Sequence, residues 1–223
     1  MKTDFRLQLD VALAPVVDPS RAPAMRAYMR DQFAYLGIGT PQRRLAAKPL
    51  LTALKGSGAN TLLAHAWALW ELPEREYQYV ALDLLAMHWK EFDAGHIPQL
   101  LEFARTKSWW DTVDALASII GDILRHGHDH MDQALQHENM WIRRVAVLHQ
   151  LGWRDRVDTE RLFKYALTLA HEKEFFIQKA IGWALRDYAR HDVQAVREFT
   201  LKEKSRLAPL SFREANKHFR AAE

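Results

Sequence analysis

The sequence predicts an all-α protein of HEAT-like helical repeats stacked as a curved α-solenoid. Apolar residues recur at three- and four-residue spacing along almost every segment, and alternating strand-like runs are absent. Aromatic residues also open successive apolar helices at Tyr77, Trp109, Trp141 and Phe176, each followed four residues later by Ala81, Val113, Val145 or Ala180. The intervals are 32, 32 and 35 residues. Two-helix units with such a period bury their apolar faces on one another and leave a concave wall. Residues 1–223 read as a single repeat domain without an internal linker. A compact orthogonal bundle is the alternative, because only four aromatic positions carry the period.

The expected helices span 21–35, 41–55, 59–71, 73–91, 95–105, 108–125, 129–137, 139–151, 159–171, 174–190, 192–204 and 209–219. Thr40-Pro41, Leu72-Pro73, Ser108 and Asp192 mark starts, since proline is tolerated in a first turn and Ser, Thr or Asp can cap it. Gly37-Ile38-Gly39, Gly56-Ser57-Gly58, Gly95, Gly127 and Gly152 mark breaks. In the helix over 108–125, Ser108 is the expected N-cap and Asp111 the acid of the first turn. Trp109, Val113, Leu116 and Ile120 form its inward line.

Composition excludes several classes. With 48% hydrophobic and 26% charged residues the chain is ordinary globular material. No window approaches the roughly eighteen uninterrupted apolar residues of a membrane span. Asp4, Arg6 and Asp10 interrupt the N-terminal apolar run, so no signal-peptide profile is present and a cytoplasmic protein is expected. The absence of cysteine rules out disulfides, thiolate zinc sites and cysteine nucleophiles. His126, His128, His130 and His137 gather around Gly127 in a polar turn, without the i, i+4 pair and adjacent acid of a metal-binding helix. Gly-rich phosphate loops, nucleotide fingerprints and serine elbows are missing too, so no metal and no cofactor is expected. Lys+Arg 31 against Asp+Glu 28 is too small a surplus to imply a polyanion partner by itself, although a nearly neutral chain can carry one basic face.

The densest chemistry lies in Thr106-Lys107-Ser108-Trp109-Trp110-Asp111-Thr112-Val113-Asp114. Trp110 and Asp114 are one turn apart, so an indole and a carboxylate share a face beside the buried line. An isolated Trp in a helical protein usually packs in the core, the reading given to Trp67, Trp70, Trp89, Trp109, Trp141 and Trp153. Trp183 lies four after Lys179 and three before Arg186, in a polar stripe suited to a cleft border. Asp114 taken alone would more often be a solvated helix acid. Arg143 and Arg144 near a helix start suit phosphate binding, with Arg43, Arg44, Lys107, Lys179 and Arg213 as further cations of that kind.

Four strings in order carry a resemblance to a known family: Tyr35-Leu36-Gly37-Ile38-Gly39-Thr40-Pro41-Gln42-Arg43-Arg44, Leu72-Pro73-Glu74-Arg75-Glu76, the stretch from Thr106 to Asp114, and Lys173-Glu174-Phe175-Phe176-Ile177-Gln178-Lys179-Ala180-Ile181-Gly182-Trp183. With Ala208-Pro209-Leu210-Ser211 and Arg213-Glu214-Ala215 they extend over nearly the whole chain. The chain resembles the AlkD-type DNA alkylation repair glycosylases. The resemblance implies HEAT-like repeats holding duplex DNA and hydrolysis of the N-glycosidic bond of N3- or N7-alkylated purines, with the lesion still stacked. It also implies Asp114 as the catalytic carboxylate, Trp110 and Trp183 as active-site indoles, and Arg144 as a DNA-contacting arginine.

That chemistry asks little of a site. Alkylation leaves the purine cationic, so the base departs neutral and one carboxylate suffices to steady the deoxyribose oxocarbenium ion and orient water. No lysine stands out as a lyase nucleophile, so a monofunctional enzyme is expected. The resemblance implies double-stranded DNA as its partner, and a monomer is expected. The competing expectation is a HEAT-repeat scaffold that binds DNA or protein without catalysis.

Overall fold

The computed structural model describes residues 2–125 and 127–217. His126 of the histidine cluster, and residues 218 and 219 of the last expected helix, lie outside the described residues. Among the described residues there are helices, turns and one isolated bridge, Ala34 with Glu74, but no strand. No helix among them is long and apolar enough to cross a membrane. The all-helical class read from the sequence is the observed one.

The chain divides into two compact units, Met1–Phe92 and Asp93–Glu223. The first holds α1 (Lys2–Leu13), α2 (Ala22–Tyr28), α3 (Thr40–Ala53), α4 (Ala59–Trp70) and α5 (Arg75–Met87). Helix α1 is absent from the sequence-based assignment. Phe5, Leu9 and Leu13 recur at four-residue spacing and are buried, and α1 packs on α3 and α4. Asp4, Arg6 and Asp10 dilute that signal, and Leu7 and Val11 stay exposed on the other side. The helix expected over 21–35 ends at Tyr28, because Arg30 and Asp31 take left-handed backbone with φ of 54° and 57°.

That turn delivers the 35–44 string to a buried acid. Glu76 is fully buried and accepts hydrogen bonds from the backbone amides of Leu36, Gly37 and Ile38 at 3.0, 2.9 and 3.0 Å. Gly37 has φ +83°, and a Cβ there would lie 1.9 Å from the Asp18 carbonyl oxygen, so glycine is required. The neighbouring Arg75 is also fully buried, with its guanidinium 3.7 Å from the centre of the Phe33 ring. Helix α5 begins at Arg75 after Glu74, so Pro73 precedes the helix instead of sitting in its first turn.

The second unit holds α6 (Ile97–Arg105), α7 (Trp110–Leu124), α8 (Met131–Leu135), α9 (Met140–Leu148), α10 (Thr159–Thr168), α11 (Phe175–Tyr188), α12 (Val193–Lys202) and α13 (Pro209–Ala215). They pair as α6 with α7, α8 with α9, α10 with α11 and α12 with α13, while α7, α9, α11 and α13 pack side by side. The aromatic period marks this layer. Trp109 lies 6.0 Å from Trp141 and 5.1 Å from Phe176 by ring centres, and Trp141 lies 4.9 Å from Phe176. Val113, Val145 and Ala180, one turn on, are buried between the helices. Asp192 caps α12 as expected, accepting from the Ala195 amide at 2.8 Å. Ser108 does not cap α7: Trp109 occupies the N-cap, and the Ser108 hydroxyl donates to the Ala104 carbonyl at 2.7 Å. A hydroxyl four residues after a helical carbonyl competes for that acceptor, which closes α6 instead.

Candidate active site

Every element of the second-helix layer sends one or more side chains into a cleft of about 260 Å³. Trp110 and Asp114 come from the first turns of α7, Arg144 from α9, Phe175, Phe176, Lys179, Trp183 and Arg186 from α11, and Glu214 from α13. The one-turn spacing of Trp110 and Asp114 does place both in the same cleft. Trp183 lies across from them on α11, between Lys179 and Arg186, and all three belong to one helix face.

Asp114 is held by a planar two-point contact. Arg144 donates to Oδ1 through Nε at 2.7 Å and to Oδ2 through Nη2 at 2.9 Å. Its remaining nitrogen, Nη1, donates to the Phe176 carbonyl oxygen. The side chains of Asp114 and Arg144 are 12% and 5% exposed, so this is a desolvated pair. Burial pushes the Asp114 carboxyl above its ordinary value, Arg144 opposes that through hydrogen bonding and charge, and the nearby Asp111 adds to the rise. Arg144 is thus the buried ion-pair partner of Asp114 within the cleft.

Opposite, Glu214 accepts from Lys179 Nζ at 3.0 Å and from Arg186 Nη1 at 2.6 Å. Burial works to raise its carboxyl, but the hydrogen bonds and charges of Lys179 and Arg186 outweigh it and hold the group below the usual carboxylate range.

The remaining cations named from the sequence have other surroundings. Arg143 is committed to Glu172 at 2.7 and 2.9 Å and to the carbonyls of His137 and Glu138 at 2.7 Å each. Arg43 and Arg44, in the first unit, share Asp83 at 3.2 and 3.0 Å. Lys107 is half-buried in a left-handed turn before α7, with φ 50°, and Arg213 is exposed on α13. Glu214 and the Phe175-Phe176 pair were not singled out as site residues by sequence reasoning. Glu214 and Phe175 carry no signal beyond membership of the quoted strings, and Phe176 adds only its place in the aromatic period.

Two members of the histidine cluster have other side-chain contacts. His128 Nδ1 lies 2.9 Å from His149 Nε2, and His137 Nδ1 accepts from the Asn139 amide at 2.9 Å. No group of three or more His, Cys, Asp or Glu among the described residues is arranged to hold a metal ion.

The family described as DNA alkylation repair enzyme matches residues 9–219. The chain belongs to this family. A solved structure, described as a predicted DNA alkylation repair enzyme from Enterococcus faecalis, is 33% identical with a TM-score of 0.84, over 92% of this chain and 97% of that one. No curated protein matches the chain. In this DNA alkylation repair enzyme the strings behind the resemblance divide by role. The 35–44 and 72–76 strings knot together through Glu76, whereas those over 106–114 and 173–183 supply Trp110, Asp114, Lys179 and Trp183 to the cleft.

Proposed function

We propose that this DNA alkylation repair enzyme is a monofunctional glycosylase. It hydrolyses the N-glycosidic bond of cationic N3- and N7-alkylated purines in duplex DNA without extruding the base, as a monomer needing no cofactor. Residues 1–223 act as a single repeat domain. The observation that carries the reading is the convergence of Trp110, Asp114 and Trp183 on one cleft.

The C1′–N bond breaks with its electron pair leaving on the purine, which departs neutral because alkylation had made it cationic. Positive charge then develops on the deoxyribose. Asp114 answers that charge and orients the water that adds to C1′, and the proton lost from that water passes to solvent. Trp110 and Trp183 present π faces to the cationic sugar and lesion, worth about 0.5–2 kcal/mol per contact. Arg144 keeps the carboxylate ionised and aimed. Discrimination comes from the lability of a cationic nucleotide, so uracil and hypoxanthine in duplex DNA are poor substrates.

One observation favours the rival reading of a non-catalytic DNA binder: both Asp114 oxygens are already engaged by Arg144. Release of 7-methylguanine from methylated duplex, without added metal and under single-turnover conditions, separates the two. Release by the native chain and a large loss in Asp114→Asn support the glycosylase. A folded chain that binds duplex but releases nothing is the binder.

A further inference from the structure

We propose that Glu214 is a charge-setting and positioning residue of the cleft: by pairing with Lys179 and Arg186 on either side of Trp183, it lets the site hold a DNA phosphate without repelling a cationic nucleotide. The inference rests on the glycosylase reading and names a residue on which that reading does not depend.

The cleft is lined by three cations, Arg144, Lys179 and Arg186, and two acids, Asp114 and Glu214. Arg144 is cancelled by Asp114 at close range. What faces a substrate is the second cluster, where one carboxylate serves two cations and leaves a single surplus positive charge. Lys179 is 38% exposed, open enough for a phosphate, whereas Arg186 and Glu214 are 19% and 14% exposed. Without Glu214 two uncompensated cations would stand beside a purine and a sugar that both carry positive charge along the reaction. Like charges within one poorly solvated cleft oppose that transition state while favouring any phosphate, damaged DNA or not.

Glu214 is also fixed in place, as a charge-setting group must be. A Cβ added at Gly182 would lie 2.5 Å from Glu214 Cβ and 2.9 Å from the Ser211 carbonyl oxygen, so α13 sits flush on α11 where Glu214 emerges. Ser211 is fully buried and its hydroxyl donates to the Gln178 carbonyl at 2.8 Å. Arg186 Nη1 reaches the Glu214 carbonyl oxygen as well, at 3.4 Å.

The test compares native chain, Glu214→Gln, and Glu214→Gln with Lys179→Met, reading single-turnover 7-methylguanine release and the affinity for undamaged duplex over a salt series. Glu214→Gln is expected to slow release on the order of tenfold while binding undamaged duplex more tightly. Its log–log salt dependence should steepen by about one released counterion. Adding Lys179→Met should restore most of the lost rate, because it removes the cation that Glu214 no longer offsets. A merely structural role predicts the reverse pattern: rate and affinity fall together and the second substitution deepens the loss. That result, or an unchanged rate in Glu214→Gln, overturns the proposal. If the native chain releases no 7-methylguanine the glycosylase reading fails, and affinity alone then decides: a rise in Glu214→Gln upholds the charge balance and no rise overturns it.

Discussion

Arg144 and Asp114 form a bidentate pair whose geometry leaves neither carboxylate oxygen without a charged donor, 2.7 Å on one side and 2.9 Å on the other. Breaking such a buried pair from one side costs roughly 3–5 kcal/mol, mostly from the charge left behind. Arg144 favours the ionised form of Asp114 against the burial that disfavours it. The pair therefore serves stability and ionisation together.

The acid limb of activity follows from the same pair. In the proposed mechanism excision needs the carboxylate, and burial has moved its pKa upward, so activity should fall with decreasing pH at a higher pH than an ordinary aspartate would dictate. Arg144 acts against that rise. Arg144→Met should move the acid limb further up and cost more activity near pH 5 than near pH 8. A pH–rate profile of the two proteins under single-turnover conditions checks this; coincident limbs would show that Arg144 does not govern the ionisation.

Asp114 and the indoles should differ in what they contribute. A group that meets developing charge with a full charge commonly supplies about two to four powers of ten in rate. A cation–π contact of about 0.5–2 kcal/mol corresponds to between roughly twofold and thirtyfold. Asp114→Asn should therefore lose at least about three times more excision rate than Trp183→Leu. Comparable losses would mean that Trp183 does more than face a cation.

Helical class and the second-helix layer were legible because their signals are local. A face of a helix can be computed from spacing, which is why Trp110 and Asp114 were found together, and why Trp109, Trp141 and Phe176 marked adjacent repeats. Contacts between helices are not written in any one segment. The partners of Asp114 and Glu214 lie on other helices, at Arg144 and at Lys179 with Arg186, so the ion-pair wiring of the cleft stayed hidden. Helix α1 was lost because three charged residues blur its apolar line, although Leu9 and Leu13 are buried. Ser108 looked like a cap because its competing acceptor, the Ala104 carbonyl, becomes visible only once α6 has an end.

Glu76 offers a test of the knot in the first unit. Glu76→Ala would leave the amides of Leu36, Gly37 and Ile38 without their acceptor, at about 1–3 kcal/mol for each buried amide that finds no substitute. Chemical denaturation should show a loss of about 3 kcal/mol or more. Glu76→Gln should lose less, since one carbonyl oxygen can still serve Gly37 and Ile38. Equal stabilities of native and Glu76→Ala proteins would mean that the 35–44 segment holds itself.

His149 makes stability depend on acid. It is fully buried, and burial pushes its pKa down to about 3, with the neighbouring His128 and Arg161 charges adding to the fall. The 2.6 Å contact of Nδ1 with the Ala146 carbonyl assigns the proton to Nδ1, so Nε2 accepts from His128 at 2.9 Å. Because the folded value lies below that of the unfolded chain, only the unfolded state takes up this proton as pH falls from about 6.5 towards 3. The fold loses about 1.4 kcal/mol per pH unit through this group in that window. His149→Gln, which does not titrate, should be less stable at pH 7 but lose stability less steeply below pH 6. The gap between the two proteins should thus close by about 1.4 kcal/mol per pH unit in denaturant titrations between pH 5.5 and 3.5. Parallel curves would mean that His149 takes up its proton without leaving the fold.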